Sequence, residues 1–414
     1  MRITIINQFY KPDLSPTAHL AASLVEHRVG KPHRDEVRII SSVGGYVPES
    51  NAKEESMFDN PRIHRLWTPG LGKSSTLKRC IDYGVFYVSA AMTALTMPRQ
   101  DVIISLTTPP FIAWIALLHK FIHPWTRVIL WNMDCYPEMA ERSDKLREGG
   151  WPARAMRAMN RVLFRRMERI VCLDQAMVDM LNSHYARPGT PLPTTIIPNW
   201  EAAAFFPKVA LNPGPRREVW GGVESHHLAG RFVVLYLGNT GYGHEFETAL
   251  DAAAMVADEP VTFLFVGGGS RWEEIERGVE ERGLKNVAMH GYVPKEMTRL
   301  VMQSAHCALI TLRDRILGVM SPSKLHSNLA MGLPVIYIGP ETSNVDEAIK
   351  AFDCGISVRH GNAADVADYI RSLMKDETKK AAAKEKARAA FDAAYCDTVT
   401  LARFDDVIAG KSDA

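Results

Sequence analysis

Apolar residues along the first two hundred positions alternate between two rhythms. Short runs such as RITIINQF, EVRIISSV, DVIISLTTP, RVILWNMD, RIVCLD and TTIIPN are nearly continuous in β-branched and apolar residues. That is the pattern of strands buried on both faces. Between them, TAHLAASLVEHRV, RAMRAMNRVLFRRME and QAMVDMLNSHY are apolar at helical spacing. This βα alternation predicts a parallel sheet covered by helices on both faces. The rhythm fails across LNPGPRREVWGGVESHH, which is rich in Pro, Gly and charge. It then resumes, with RFVVLYLGN, VTFLFVGGG, VAMHGYV, CALITL and CGISV as strands. HEFETALDAAAMVA, RWEEIERGVEERG, KEMTRLVMQSA and AADVADYIRSLMKD are the helices between them. Two further helical segments, KKAAAKEKARAAFDAAY and VTLARFDDVIAG, close the chain.

The expected organisation is a Rossmann-like domain over 1–207, a linker over 208–230, a second such domain over 231–385 and closing helices over 386–414. Two doubly wound halves face each other across a cleft, with the carboxyl ends of both sheets turned to it. Open α/β sheets bind their ligands at those ends.

The length of 414 residues agrees with more than one domain, and 46% hydrophobic with 23% charged residues is a globular composition. A formal charge of +2 gives no reason to expect nucleic acid, and zinc-finger and RNP-like spacings are missing. Six scattered cysteines without a C-x-x-C read as reduced thiols of a cytoplasmic protein. The start, MRITIINQFYKPD, reads as a strand and a loop rather than a secretion signal. Two apolar runs, Tyr83 to Met97 and Val102 to Leu118, fall short of a span, the second because Pro109-Pro110 breaks it. They are expected to be a buried helix, then a strand, a turn and a second helix. Contact with a membrane surface stays open.

The candidate chemistry lies in turns. In GVMSPSKLHSNLAMGLPVIYIGP, Ser321, Pro322, Ser323 and Lys324 stand at the mouth of a helix, Lys324 to Met331, before a buried strand. Free N–H groups, hydroxyls and an ammonium there make an anion site; a plain serine N-cap is the other reading. In YLGNTGYGHEFETAL, Gly238, Gly241 and Gly243 let the backbone approach an anion, and His244 sits at the next helix mouth; a tight βα turn is the alternative. FLFVGGGSRWEE fails as a dinucleotide fingerprint, because Trp272 takes the place of the third glycine. His290 to Met297 offers backbone to a base edge, or is only a loop. Asp134 in NMDCYPEMA ends a strand, as a site residue or as a helix cap. Ser15, Pro16 and Thr17 lie in the first βα loop. The chain has no Asp-x-Asp pair and no zinc-like cluster, so no metal is expected. Arg154, Arg157, Arg161, Arg165, Arg166 and Arg169 mark one helix as either a lipid-binding face or a solvated one.

Five of these stretches, in this order, resemble the retaining GT-B glycosyltransferases of family four, in their bacterial polysaccharide branch. MDCYPEMA is similar to D-x-x-P-E-x-A and TTIIPNW to I-P-N-W. YLGNTGYGHEF is similar to Y-x-G-N-x-G-x-x-H-E-F. ALITLRD precedes SPSKLHSNLAMGLPV as that branch has it. The resemblance runs nearly end to end. It implies a C-terminal helix returning to the first domain and a nucleotide-sugar donor, UDP- or GDP-linked. It implies donor diphosphate on Gly238, Asn239, Gly241, Ser321, Pro322, Ser323 and Lys324, and base and ribose near Gly268, His290, Tyr292, Val293 and Ser327. Lys324, His244 and Asp134 would be the catalytic groups, with no cofactor and no metal. The acceptor would be a glycan or a polyprenyl-diphosphate-linked glycan, met in the cytoplasm or at the inner face of the membrane.

Departures accompany it. The two glutamates of the family's E-x7-E fall on Val319 and Ser327, and its Arg and Lys after the first strand of the second domain fall on Asn239 and His244. His244 is therefore expected to supply a second positive donor. A sugar-nucleotide epimerase of the same fold and a non-catalytic binding subunit are the rival expectations.

Overall fold

The computed structural model describes residues 1–13, 15–43, 61–71, 76–206, 228 and 230–411. By internal packing the chain divides into two units, Met1–Pro198 with Leu401–Ala414, and Asn199–Thr400. Apart from residues 228 and 230, the expected linker lies outside the described residues.

The N-terminal unit holds β1 (Arg2–Ile6), β2 (Glu36–Ser42), β3 (Arg62–Leu66), β4 (Val102–Ser105), β5 (Arg127–Trp131), β6 (Arg169–Cys172) and β7 (Thr194–Ile196). Their order is β3-β2-β1-β4-β5-β6-β7, with every pairing parallel. The C-terminal unit holds β8 (Phe232–Asn239), β9 (Val261–Gly268), β10 (Val287–His290), β11 (Cys307–Thr311), β12 (Val335–Ile338) and β13 (Gly355–Val358). Their order is β10-β9-β8-β11-β12-β13, again parallel throughout. Each sheet is doubly wound, and its strand order reverses beside its first strand. The apolar runs form the strands because both faces are covered: Ile3, Ile5, Ile103, Ile129, Val234 and Phe263 are all buried.

Two elements have no counterpart in the hydrophobic pattern. β3 reads RIHRL and is part-exposed at a sheet edge, so it carries no apolar signature. The helix Asn344–Phe352 is short and half polar. One expectation needs correction. The run Tyr83–Met97, expected to be buried, falls in the helix Thr76–Thr96 except for Met97 just beyond it, and this helix buries only one side. Phe86, Ala90 and Ala94 are inside, whereas Val88 is 63% and Met92 64% exposed. In the next helix region Phe121 and Trp125 are 85% and 80% exposed. No helix among the described residues is long and apolar enough to cross a membrane.

Of the closing segment, Leu401–Ala414 groups with the N-terminal unit. Phe404 is fully buried with its ring 4.7 Å from that of Trp131 on β5. Arg127 donates to the carbonyls of Val407 and Ile408 at that helix's end. The preceding helix, Glu377–Ala390, stays with the C-terminal unit, where Arg388 donates to the carbonyls of Phe206 and Ala330.

Candidate functional site

At the carboxyl ends of β8 and β9, Gly238 pairs with Gly267 and Asn239 with Gly268. Gly238 and Gly267 have φ of +117° and +137°, and a Cβ on Gly267 would stand 2.2 Å from the Gly238 carbonyl oxygen. Only glycine permits this backbone. Above it lies a cavity of about 260 Å³ lined by Leu237, Gly238, Val266, Gly267, Tyr292, Val293, Thr298, Lys324, Ser327 and Asn328. Five of the anticipated residues, Gly238, Tyr292, Val293, Lys324 and Ser327, therefore meet in one place.

Lys324 opens the helix Lys324–Ala330. Its Nζ donates to the Asn239 carbonyl at 3.1 Å and stands 4.9 Å from the centre of the Tyr236 ring. Protein surrounds the ammonium although the side chain as a whole is part-exposed, and this burial lowers its pKa to about 8. It is still mainly protonated at neutral pH. The helix is only seven residues long, shorter than expected, and its N-cap Ser323 makes no side-chain capping bond. Its dipole is correspondingly small, so the lysine carries most of the positive potential.

The anticipated second positive donor is overturned. His244 is buried, and its Nδ1 lies 2.8 Å from the Thr311 carbonyl, so Nδ1 bears the proton and donates. Nε2 is left as an acceptor facing Lys324 Nζ at 3.3 Å. Burial, and then the charge of Lys324, lower the His244 pKa to about 3. A neutral imidazole that positions the ammonium is what stands there, because water is excluded and a cation already occupies the site.

The other anticipated residues of this unit do not line the cavity. Gly268 accepts from the Tyr292 hydroxyl at 3.0 Å and from the Thr240 N–H at 2.7 Å. Gly241 packs against the Asn239 side chain. Pro322 accepts from Asn344 and Ser323 from His326, which shapes the turn. His290 bonds to the Gly291 carbonyl, and neither it nor Ser321 lines the cavity. The sequence reading missed Thr298 and Asn328, which stand on helix faces without any signal. It also set Gly267 aside with the failed dinucleotide motif.

In the N-terminal unit, Asp134 follows β5 beside a small cavity of about 20 Å³ lined among others by Thr107, Tyr136 and Asn160. It is not a helix cap. The helix Glu138–Arg142 is capped by Pro137 without a side-chain bond. The Asp134 carboxyl has no hydrogen-bond partner among the described residues, and burial raises its pKa to about 6. The loop that carries it is anchored by Glu138, which is 2% exposed. Glu138 accepts from the Tyr185 hydroxyl at 2.5 Å and from Arg157 at 3.1 Å, and Glu141 also pairs with Arg157. Arg157 is thus half-buried and paired, and Arg165, although exposed, donates to the Tyr185 carbonyl; Arg154, Arg161 and Arg166 are exposed too. Trp151, Met159 and Val162 are exposed on the same helix. Ser15 caps the helix Pro16–Val29 by accepting from Ala18, with Pro16 in its first turn and Thr17 beside it.

Residues 224–390, the part that builds the larger cavity, match the glycosyl transferases group 1 family. WcaI of Escherichia coli K12, named for glycosyl transfer in colanic acid biosynthesis, is 23% identical over 368 residues, or 86% of this chain and 88% of WcaI. WbjE of Pseudomonas aeruginosa, named as a glycosyltransferase, is 22% identical over 311 residues, 74% of this chain and 73% of its own. The crystal structure of Anabaena HepE in complex with UDP and glucose has a TM-score of 0.69, at 14% identity, over 99% of both chains. The fold is GT-B. The likeness to glycosyltransferases extends along most of the chain.

Proposed function

We propose that the chain transfers a sugar from a UDP- or GDP-linked donor to a glycan or lipid-linked acceptor during assembly of a cell-surface polysaccharide, with retention at the anomeric carbon and without a metal. The observation that carries this is the Lys324 ammonium, held by His244, Tyr236 and the Asn239 carbonyl at a glycine-walled cavity. A donor diphosphate seated there gains negative charge as its bond to the sugar breaks. A cation fixed among protein groups stabilises that charge without reorganisation. The acceptor hydroxyl attacks on the face the diphosphate leaves, and its proton passes to the departing phosphate. Asp134, a buried carboxylate of the N-terminal unit, is assigned to holding the acceptor. The lack of an Asp-x-Asp pair supports metal independence. The relatives' names support the polysaccharide setting, and the UDP and glucose of HepE support the donor class.

Ser327, which replaces the family's ribose-binding glutamate, turns its hydroxyl to the Lys324 carbonyl at 3.4 Å. This favours, as a second reading, a subunit that binds a donor without turning it over. The separating experiment measures thermal shift and nucleoside diphosphate release with a panel of UDP- and GDP-sugars, in chelator, with and without a bacterial membrane extract. One donor should raise the melting temperature and be consumed only when the extract supplies an acceptor. Binding without turnover would select the second reading, and donor conversion without acceptor would select an epimerase.

The acceptor side suits an anionic membrane surface. Val88, Met92, Phe121, Trp125 and Trp151 are exposed, and Arg154, Arg161 and Arg166 supply positive charge. Apolar burial and headgroup attraction add in such a surface.

A further inference from the structure

Outside the donor cavity, one cluster in the N-terminal unit brings together metal-ligating atoms that the proposed transfer reaction does not use. His27 lies in the last turn of the helix Pro16–Val29, His33 follows in the turn after Gly30, and Asp405 lies on the C-terminal helix, 378 positions away from His27. His27 Nε2 stands 2.9 Å and His33 Nε2 3.0 Å from the same oxygen, Asp405 Oδ2. The three ligand atoms lie within 4.8 Å of one another, and the two rings are edge-to-face with centroids 4.8 Å apart. Among the described residues no other group of three such side chains is this close.

We propose that His27, His33 and Asp405 form a binding site for a divalent transition cation of the zinc class, which ties the C-terminal helix to the turn between the helix Pro16–Val29 and β2. Two imidazole nitrogens and a carboxylate oxygen suit such an ion, with the remaining position left to water. Ligands on a tetrahedral ion at about 2.0 Å lie about 3.3 Å apart, so the nitrogens need to close by at most about 1.5 Å. The two nitrogen–oxygen separations are already short enough. The carboxylate is pre-oriented for the role. Arg28 donates to its other oxygen, Oδ1, at 2.7 Å; His27 Nε2 lies 3.0 Å from Oδ1 as well, whereas both imidazoles reach Oδ2, the oxygen placed to bind the ion. The Arg28 charge is itself answered by Asp35, with Nε to Oδ2 at 2.8 Å. This is how an outer partner fixes a ligating carboxylate. The side chains of His27, His33 and Asp405 are 26%, 22% and 25% exposed, so the site is partly dehydrated yet open to an entering ion. Both imidazoles coordinate as neutral rings with their protons on Nδ1. The site is structural and is independent of the transfer reaction.

The test uses the full chain, stripped with chelator and then titrated with Zn²⁺ by calorimetry and with Co²⁺ by visible absorption. One ion per chain, a rise in melting temperature with Zn²⁺ and ligand-field bands with Co²⁺ are expected. His33→Ala should weaken binding by about tenfold or more. In chelator it should melt close to the wild type, because His27 and Arg28 still hold Asp405. No stoichiometric uptake by the wild-type chain overturns the site, and so does equal uptake by the His27→Ala/His33→Ala double variant. A stability that responds to pH and never to either metal makes the cluster an ion-pair clamp and likewise overturns the proposal.

Discussion

Lys324 and His244 show how one side chain sets the state of another. A lysine is normally protonated far above neutral pH, but burial brings this one to about 8. Its charge therefore costs stability at every pH below about 8, and that cost fades as pH rises towards lysine's usual range. Donor binding runs the other way. Affinity for a nucleotide sugar should fall as pH rises through about 8, and a titration of Kd against pH checks it. Asp134, raised to about 6 by burial, carries its charge only above that pH, and a charged carboxylate is the stronger acceptor for a sugar hydroxyl. The profile of kcat/KM should then be bell-shaped, with limbs near 6 and 8, and Asp134→Asn should remove the acidic limb. Lys324→Ala should lower turnover by about 100-fold, the loss expected for one charge-stabilising donor. Wild-type kcat in that variant would rule out the diphosphate assignment. Gly267→Ala tests the floor of the cavity. Its Cβ would meet the Gly238 carbonyl at φ +137°, so denaturant unfolding should show a loss of about 3 kcal/mol or more.

The arginine-rich helix, Trp151–Phe164, has a paired arginine on one side and exposed arginines on another. Arg157 answers the buried carboxylates of Glu138 and Glu141, so Arg157→Ala should cost about 3–5 kcal/mol by leaving them unpaired. Arg161 is exposed, and Arg161→Ala should stay within about 0.5 kcal/mol of wild type. Vesicle sedimentation should reverse this ranking. Arg154→Glu with Arg161→Glu should weaken binding to vesicles rich in anionic lipid and leave nucleotide-sugar affinity alone. Undiminished sedimentation of that pair, or none by the wild type at low salt, would return the arginines to the role of a solvated face. The hydrophobic pattern located this helix correctly. It could not sort the arginines, because the glutamates that claim Arg157 lie 16 and 19 positions before it, in another element.

At the scale of the whole molecule the C-terminal helix is part of the N-terminal core. Phe404 and Ile408 are fully buried, and Phe404 packs against Trp131 on the interior strand β5. Deleting Leu401–Ala414 should expose that tryptophan and lower the melting temperature or the soluble yield sharply. Intrinsic fluorescence and a thermal melt read both effects, and a truncated chain with unchanged stability would contradict the packing.

Strand and helix types, the two doubly wound halves and the glycine-rich ends of β8 and β9 were all legible from periodicity and from turn chemistry. Each is a local property, because burial on one face or two imprints its period on neighbouring residues. β3 escaped because a polar edge strand carries no such period. Long-range proximity left no local trace. His244 stands 80 positions from Lys324, and only their contact in a dry pocket turns an expected cation into a neutral acceptor. Asp405 stands 378 positions from His27 and nothing near either residue announces the other. Ionisation depends on who excludes the water and who brings the neighbouring charge, and those are decided when distant segments pack.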